Sequence, residues 1–419
     1  MSLILKTMAV ILKEWARGLM RCTPLYLKTR KQIGGQDTVI LLAEAVNNAI
    51  DNVPYYRSKF IRDFSEFDIL RKSDIIGREK ELVSKRKSSY FLRKVETGGS
   101  TGVSLSLFRA LRDVIQDIAY TDFVFSFIGK DLKIAELRGR KPYKNRLWQK
   151  VTKNKILLSS YSLSEKNLDL YLSLLQQHKI NCIHAYPSSL TILARLIKSK
   201  YGVSPLTNLK GILTSSEVFS KQNQLLVSEV FPGVKLVDYY SHNEQACCAY
   251  SIDMSPYNFI GEFGFVEFVP NGETINGNIV AEIVATSIMN KTMPFIRYGT
   301  EDYVELDSNG SVLSIIGRSC EYVVNEDNDV VPCIVLIGNN ALKHVINFQY
   351  FQNKPGVLGF RVVVRPDFSK EDIGYICRDI NDSFDGKMIA QVEVVEEISK
   401  TRSGKQKRLI QNLDINCDR

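Results

Sequence analysis

The sequence has 419 residues, of which 44% are hydrophobic and 24% are charged, and its formal net charge is +9. This composition is ordinary for a soluble globular protein, and the length predicts two or three domains with a sizeable core. The charge is modest for this length, so we interpret it as a lysine-rich solvated surface and predict no nucleic-acid partner.

The eight cysteines are scattered along the chain and form no C-x-x-C pair, while Cys247 and Cys248 are adjacent. This pattern suits neither a zinc site nor an ordinary disulfide, and it predicts reduced thiols in a cytoplasmic protein. The four histidines show no H-x-x-x-H spacing. A dedicated transition-metal site is therefore not expected.

The first twenty residues are apolar but interrupted by Lys6, Lys13 and Arg17. The run is too short and too charged for a membrane span, and no small-residue cleavage site follows it. An amphipathic helix that packs on the body of the protein is the main interpretation. The alternative is a helix that lies on a membrane surface, helped by the basic residues through Lys31.

A glycine-rich stretch at residues 96–102 follows a predicted strand at 90–95 and precedes a predicted helix at 109–128. Strand, glycine-rich loop and helix form an arrangement that binds phosphate through main-chain N–H groups. A plain turn is the alternative, because glycine and serine clusters are typical of turns. No Gly-Lys-Ser/Thr sequence closes the stretch, so it is not a Walker A loop.

From residue 156 to residue 239, short apolar strands alternate with helical patterns, which predicts a mostly parallel, helix-covered sheet. Ligands of such sheets lie at the carboxyl ends of the strands. Two polar loops are predicted at that edge, Thr214-Ser215-Ser216-Glu217 and Tyr240-Ser241-His242-Asn243-Glu244.

Strands and turns replace this alternation at residues 259–316, with turn signals at Asn271-Gly272 and at Ser308-Asn309-Gly310, and predict an antiparallel region. The last hundred residues are typical of a smaller α+β module. The predicted fold class is therefore α/β. Residues 1–318 are predicted to form a large N-terminal domain with mostly parallel helix-covered sheets and a β-rich part, and residues 319–419 a small mobile C-terminal lid.

Together these polar segments resemble the AMP-forming acyl-adenylate synthetases, and in particular the phenylacetate–CoA ligase-like branch with its CapK-type capsule-polysaccharide members. The resemblance covers nearly the whole chain in order and spacing. It rests on the following segments: Val53-Pro54-Tyr55-Tyr56-Arg57, the glycine-rich stretch, Arg138-Gly139, residues 157–161, residues 185–190, Thr214 to Glu217, Asp238 to Glu244, residues 293–298 with Asp302, Gly317-Arg318, and residues 399–405.

The resemblance implies a reaction in two steps. A carboxylate oxygen attacks the α-phosphorus of ATP and displaces pyrophosphate, and the resulting acyl-adenylate then gives its acyl group to CoA or to another acceptor. Donors and cations must lie where negative charge develops. Mg²⁺ is the implied metal, since it binds phosphates and only one or two carboxylates. Polysaccharide biosynthesis, at the inner face of the membrane, is the pathway that the CapK-type members suggest.

The resemblance also implies a role for each matching residue. The loop of Thr97, Gly98, Gly99, Ser100, Thr101 and Gly102 would close on the β- and γ-phosphates. Glu244 would hold Mg²⁺, and Asn243 would face the α-phosphate. Ser216, Glu217 and Tyr240 would line the adenine pocket, Asp302 would bind the ribose with Arg318 nearby, and Lys405 would bridge the carboxylate and the α-phosphate.

The sequence departs from the family pattern at several of these positions. Ser241 replaces a glycine, Asn243 replaces a hydroxyl residue, Glu301 replaces the glycine before the ribose-binding aspartate, and Cys320 replaces the hinge aspartate. The alternative function is therefore a catalytically impaired nucleotide- or acyl-binding protein that keeps the fold. Taken alone, Glu244 would be a surface carboxylate, Asp302 a turn residue, and Lys405 part of a solvated charge run.

Overall fold

The computed structural model describes residues 3–57, 64–85, 92–96, 105–139, 142–143, 146–275, 277–318, 322–328, 330–332, 341–384, 386–399 and 406–413. The glycine-rich loop, the hinge position Cys320 and Lys405 lie outside these ranges.

Helices and strands alternate through the first half of the described chain, and strands dominate the second half. The helices are α1 (Leu3–Met20), α2 (Pro24–Gln32), α3 (Thr38–Asn52), α4 (Pro54–Arg57), α5 (Lys72–Ile75), α6 (Leu111–Ser126), α7 (Glu165–Gln177), α8 (Pro187–Tyr201), α9 (Lys221–Val230) and α10 (Lys370–Ser383). The strands are β1 (Arg93–Glu96), β2 (Ser106–Arg109), β3 (Ile134–Leu137), β4 (Trp148–Thr152), β5 (Lys155–Leu158), β6 (Cys182–Ala185), β7 (Gly211–Ser215), β8 (Lys235–Ser241), β9 (Cys248–Ile252), β10 (Asn258–Phe259), β11 (Gly264–Ile275), β12 (Asn278–Ser287), β13 (Tyr298–Leu306), β14 (Val312–Arg318), β15 (Tyr322–Val324), β16 (Val330–Pro332), β17 (Val345–Lys354), β18 (Val357–Val364), β19 (Ile389–Val394) and β20 (Leu409–Gln411).

The central sheet has eight strands in the order β10-β9-β8-β7-β6-β3-β5-β4, and the five strands from β8 to β5 run parallel. Both faces of the central strands are apolar. Ile183 and Ile212 face the core formed with α7, α8 and α9, whereas Cys182 and Leu213 face the core formed with α6. Strands buried on both faces read as continuous apolar runs, which is why the parallel sheet was predictable. The α/β fold class is confirmed.

The β-rich part is a four-stranded antiparallel sheet in the order β11-β12-β13-β14. Gly264 is the first residue of β11, and its backbone packs directly against that of Ala246. A side chain does not fit there, because a Cβ would lie 1.7 Å from the main-chain oxygen of Ala246. This close approach holds the loop after β8 against β11. The turn expected at Asn271-Gly272 is instead a bulge inside β11, since the register shifts between Pro270 and Thr274.

The C-terminal residues build a separate four-stranded sheet in the order β19-β18-β17-β20. Its apolar core combines β17, β18 and α10, and includes Tyr350, Phe360 and Ile376. Within the described chain, β14 ends at Arg318 and β15 begins at Tyr322. The domain boundary predicted between these two strands stays a prediction.

Helix α1 contacts the body of the protein along one side. Lys155 Nζ lies 3.2 Å from Glu14 Oε1, and in the turn after the helix Arg21 Nε lies 2.7 Å from Asp122 Oδ2. The opposite side leaves three large apolar side chains exposed at helical spacing: Leu12, Trp15 and Leu19. In the part of the chain that the structure describes, no helix is long and apolar enough to cross a membrane.

The predicted succession of strand, glycine-rich loop and helix is wrong. The loop is followed by a second strand, β2, which pairs antiparallel with β1 so that Glu96 lies opposite Ser106. Helix α6 begins only at Leu111, and Arg109 belongs to β2. Leu107 of β2 is buried in the core beneath the antiparallel sheet, so tertiary packing overrides the helical pattern at these residues.

Candidate active site

The candidate site lies at the carboxyl edge of the parallel strands. Ser216 and Glu217 follow β7, and the loop His242-Asn243-Glu244 follows β8. Because β7 and β8 are paired in parallel, with Ser215 opposite Tyr239, their two polar loops emerge side by side. The structure thus places the two predicted loops next to each other, as expected for ligand sites of such sheets.

Ser216 occupies a strained position at the end of β7. Its φ is +74°, in the left-handed region that a residue with a Cβ adopts only when the surroundings impose it. Its Oγ accepts a hydrogen bond of 2.9 Å from Arg138 Nη2. The guanidinium of Arg138 also lies 5.2 Å from the ring centre of Tyr186, and its Nη1 is 3.0 Å from His184 Nε2. Arg138 therefore joins the ends of β3, β6 and β7.

Glu217 is linked to two other segments through its two carboxylate oxygens. Oε2 accepts a 2.9 Å hydrogen bond from the main-chain N–H of Ser188, and Oε1 accepts one of 3.0 Å from the main-chain N–H of Gln406. Gln406 directly follows Lys405 in the chain. The C-terminal segment therefore reaches the edge of the sheet at which the other predicted residues lie.

Tyr240 and Asp302 are brought together from different sheets. The hydroxyl of Tyr240 on β8 donates a hydrogen bond of 2.8 Å to Asp302 Oδ2 on β13. Burial raises the pKa of Tyr240 well above its usual range, and the carboxylate of Asp302 raises it further. The phenol is thus a neutral donor at any physiological pH.

Glu301, just before Asp302, has a φ of +60°. The family pattern has glycine there, and the backbone keeps the left-handed conformation that glycine adopts most easily. The Cβ of Glu301 therefore strains the backbone at this position.

The loop after β8 contains a chain of three polar side chains. Glu244 Oε2 lies 3.3 Å from His242 Nδ1, and His242 Nε2 lies 3.5 Å from Cys247 Sγ. Burial alone would lower the pKa of His242, but Cys247 and Glu244 outweigh it and raise that pKa to about 10. Glu244 is 5% exposed, and Tyr298 donates to its Oε1 at 3.4 Å. Glu244 is consequently a buried carboxylate, not a surface one.

Asn243 is the exposed member of the loop. Its main-chain oxygen accepts a hydrogen bond from Arg109 Nη2. Its neighbour Glu244 is buried, so exposed and buried polar residues follow one another in this loop.

Several predicted site residues are not tested by this geometry. Thr97 to Gly102 and Lys405 lie outside the described residues, as does the side chain of Arg318. The backbone of Arg318 pairs with Asp302 across β13 and β14, which puts the two positions side by side. Among the described residues, no group of three or more histidine, cysteine, aspartate or glutamate side chains is arranged to hold a metal.

Sequence reasoning missed three polar residues of this edge: Arg138, His242 and Asp238. All three stand within the matched segments, and for Arg138 and His242 the position next to a strand end was the available signal. Asp238 is buried inside β8, where Thr214 Oγ1 donates to its Oδ1 at 2.5 Å, and only the fold reveals that contact.

Comparison with known proteins agrees with this arrangement. Residues 327–412 match the CapK C-terminal domain. The chain is 23% identical to Protein CapK of Staphylococcus aureus over 380 residues, which cover 84% of this chain and 81% of that protein. The chain is similar to the CapK-type proteins. The resemblance predicted from the sequence is confirmed to this extent.

Solved structures share the fold at low identity. The 2-hydroxyisobutyryl-CoA ligase in the postadenylation state, in complex with R3-HIB-AMP, has a TM-score of 0.59 and 12% identity, with 90% of this chain and 89% of that chain covered. The anthranilate CoA ligase AuaEII, in complex with anthranoyl-AMP, has a TM-score of 0.52 and 15% identity, with 75% and 64% covered. The fold is that of the acyl-CoA ligases.

Proposed function

We propose that this protein activates a carboxylic acid with ATP as an acyl-adenylate and then transfers the acyl group to CoA or to another acceptor. The observation that carries the proposal is the hydrogen bond between Gln406 and Glu217. It brings the segment after Lys405 to the edge of the parallel sheet that also presents Tyr240 and the loop of Glu244, and Tyr240 contacts Asp302 of the antiparallel sheet. The fold, shared with ligases that were solved with acyl-AMP bound, supports the same reaction.

Each proposed role follows from the charge that the reaction creates. The attack of the carboxylate on the α-phosphorus concentrates negative charge on the phosphate oxygens and on the departing pyrophosphate. Lys405 and the amide of Asn243 would stabilise that charge, and Thr97 to Gly102 would enclose the β- and γ-phosphates. Asp302, with Arg318 beside it, would accept hydrogen bonds from the ribose hydroxyls. Ser216, Glu217 and Tyr240 would border the adenine.

The residues present fit a Mg²⁺ ion that is shared with the nucleotide. Glu244 Oε2 lies 3.3 Å from His242 Nδ1, and the neutral hydroxyl of Tyr298 donates to Oε1 at 3.4 Å. A single carboxylate is enough, because Mg²⁺ in nucleotide sites takes one or two carboxylates together with phosphates and water. Glu244 would therefore hold the ion, which would neutralise phosphate charge.

The acceptor and the pathway are proposed from the similar proteins alone. CoA is the acceptor in the names of the ligases that share the fold. Polysaccharide biosynthesis is the pathway that the similarity to CapK supports.

We also propose that the N-terminal helices attach this cytoplasmic protein to the inner face of the membrane. Leu12, Trp15 and Leu19 are 57%, 67% and 54% exposed on one side of α1. Residues 1–31 contain seven lysines or arginines and one glutamate, so the same region attracts anionic lipid.

Vesicle co-sedimentation tests this attachment. The triple variant Leu12→Ser, Trp15→Ser, Leu19→Ser should lose low-salt binding to phosphatidylglycerol vesicles, and 0.5 M salt should weaken wild-type binding. Wild-type protein that stays in the supernatant at low salt would refute the attachment.

The domain organisation is proposed as residues 1–318 for the adenylation domain and 319–419 for a mobile lid. The separate core around Tyr350 and Phe360 supports this division. Expression of residues 1–318 alone should give a folded, cooperatively unfolding protein, whereas an insoluble or molten product would contradict the boundary.

Pyrophosphate release with ATP, Mg²⁺ and a library of carboxylic acids tests the main proposal. One class of acid should release pyrophosphate and form a covalent acyl-AMP detectable by mass spectrometry. ATP binding without pyrophosphate release from any acid would favour the alternative, a nucleotide- or acyl-binding protein.

A further inference from the structure

Glu217 contacts two segments that are far apart in the sequence. Its Oε2 accepts the main-chain N–H of Ser188, in the first turn of α8, and its Oε1 accepts the main-chain N–H of Gln406. A carboxylate is favourable at the start of a fifteen-residue helix, because unsatisfied N–H groups and the helix dipole both attract it. Both oxygens are therefore engaged, one on each segment.

Gln406 is itself fastened to the C-terminal sheet. Its Nε2 donates to the main-chain oxygen of Phe348 at 2.7 Å, and its Oε1 accepts from Asn347 Nδ2 at 2.9 Å. Since the side chain is held by β17, the main-chain N–H is the group that reaches Glu217. The carboxylate consequently joins the C-terminal sheet to the start of α8 at the residue that follows Lys405.

A second contact between α8 and β17 is made by Arg195. Arg195, 7% exposed, donates to the main-chain oxygen of Ile346 at 3.2 Å, and Arg365 donates to the main-chain oxygen of Arg195 at 2.8 Å. Burial lowers the pKa of Arg195, and the neighbouring cation Arg365 adds to this effect, so that the pKa falls to about 10. Glu217 supplies a separate, anionic link between the start of α8 and the segment that begins at Gln406.

We propose that Glu217 is a positioning residue, whose carboxylate holds the segment after Lys405 against the start of α8. This inference rests on the proposed function, in which Lys405, the residue before Gln406, would act during adenylation. The amide of glutamine has one acceptor oxygen, and its NH₂ group would face a second N–H. Glu217→Gln therefore keeps at most one of the two hydrogen bonds, and Glu217→Ala removes both.

Hydrogen exchange on the full-length protein measures the link without any substrate. In Glu217→Ala, exchange of peptides that contain residues 406–411 should be at least tenfold faster than in the wild type. A matched control is Glu229→Ala. Glu229 lies on α9, and its carboxylate binds Lys198 of α8 at 2.7 Å, but no described hydrogen bond joins it to the C-terminal sheet. Unchanged exchange in Glu217→Ala, or equal acceleration in both variants, would overturn the proposal.

Kinetics separates positioning from direct contact with adenine. With an acid that the wild type activates, Glu217→Gln should release pyrophosphate at least tenfold more slowly at saturating ATP, while the KM for ATP changes less than threefold. A raised KM with unchanged kcat would overturn the positioning role in favour of an adenine contact. If no acid releases pyrophosphate in the wild type, the proposed function fails, and the exchange experiment alone decides whether Glu217 forms the link.

Discussion

The hydroxyl of Tyr240 donates a 2.8 Å hydrogen bond to Oδ2 of Asp302, which joins the parallel sheet to the antiparallel sheet at the candidate site. Asp302 is the proposed ribose-binding carboxylate. Tyr240 is a neutral donor that orients this carboxylate because its pKa is raised by burial and by Asp302 itself. The contact therefore couples Tyr240, which is proposed to border the adenine, to Asp302, which is proposed to bind the ribose.

We expect Tyr240→Phe to weaken ATP binding about fivefold, since loss of one orienting hydrogen bond costs about 1 kcal/mol. Asp302→Ala should cost more, about 1.5–3 kcal/mol, as hydrogen bonds to a charged group do. Isothermal titration with ATP measures both. Tyr303→Phe, on the same strand, is the control and should bind ATP as the wild type does. Equal affinity in all variants would contradict the ribose assignment.

Glu244→Gln should remove most activity together with its dependence on Mg²⁺. The substitution deletes the charge that would hold the ion, and it also deletes the counter-charge of His242 Nδ1, 3.3 Å away. Pyrophosphate release is measured across a Mg²⁺ titration. The control Glu165→Gln changes an exposed carboxylate and should behave as the wild type. An unaltered Mg²⁺ titration in Glu244→Gln would refute the metal assignment.

Lys405→Ala should slow adenylate formation roughly 10²–10³-fold, the loss typical of one preorganised donor in the transition state. ATP affinity should stay within a few-fold, because the contribution appears mainly in the transition state. Lys407→Ala is the matched control: it is exposed, and its main-chain oxygen, not its side chain, binds Gln349. Mild, equal losses in both variants would indicate an anion-binding tail.

Glu301→Gly should stabilise the fold by about 1 kcal/mol, because glycine relieves the left-handed conformation at φ +60°. Glu301→Ala keeps the Cβ and should give no such gain, although it removes the same carboxylate. Urea unfolding measures the difference. If both variants change stability equally, the charge of Glu301 and not its backbone conformation is responsible.

Asp238 should make stability depend on pH. Burial raises its pKa from 3.8 to about 6, although Thr214 and Tyr257 donate to it. The protonated form is favoured in the folded state, so its contribution is fully present below pH 4 and is lost as pH rises through 6. The change amounts to about 3 kcal/mol.

Asp238→Asn should flatten the unfolding free energy between pH 4 and pH 6. Urea unfolding at steps of half a pH unit checks this. The exposed Asp68→Asn is the control, and its profile should follow that of the wild type. A profile of Asp238→Asn that keeps the wild-type slope would assign the pH dependence to other groups.

The sequence by itself determined the parallel sheet and the order of its loops. Uncharged runs such as Gly211 to Thr214 are buried in the parallel sheet, so their composition alone indicates their place. The polar residues that follow them, Ser216, Glu217 and Glu244, could be predicted at the edge because every parallel strand ends on the same side. Pro54 likewise separated α3 from α4, because proline disfavours helix in the residue before it.

Tertiary structure decided the contacts between distant segments. Tyr240 meets Asp302, and Glu217 meets Gln406, across 62 and 189 residues. Local periodicity carries no information about such pairs. The same limit explains the error at Arg109, where residues with helical spacing form β2 because Leu107 is buried beneath the antiparallel sheet. Only packing could show that Glu244 and Asp238 are buried away from water. Packing also places His242 between the carboxylate of Glu244 and the thiol of Cys247.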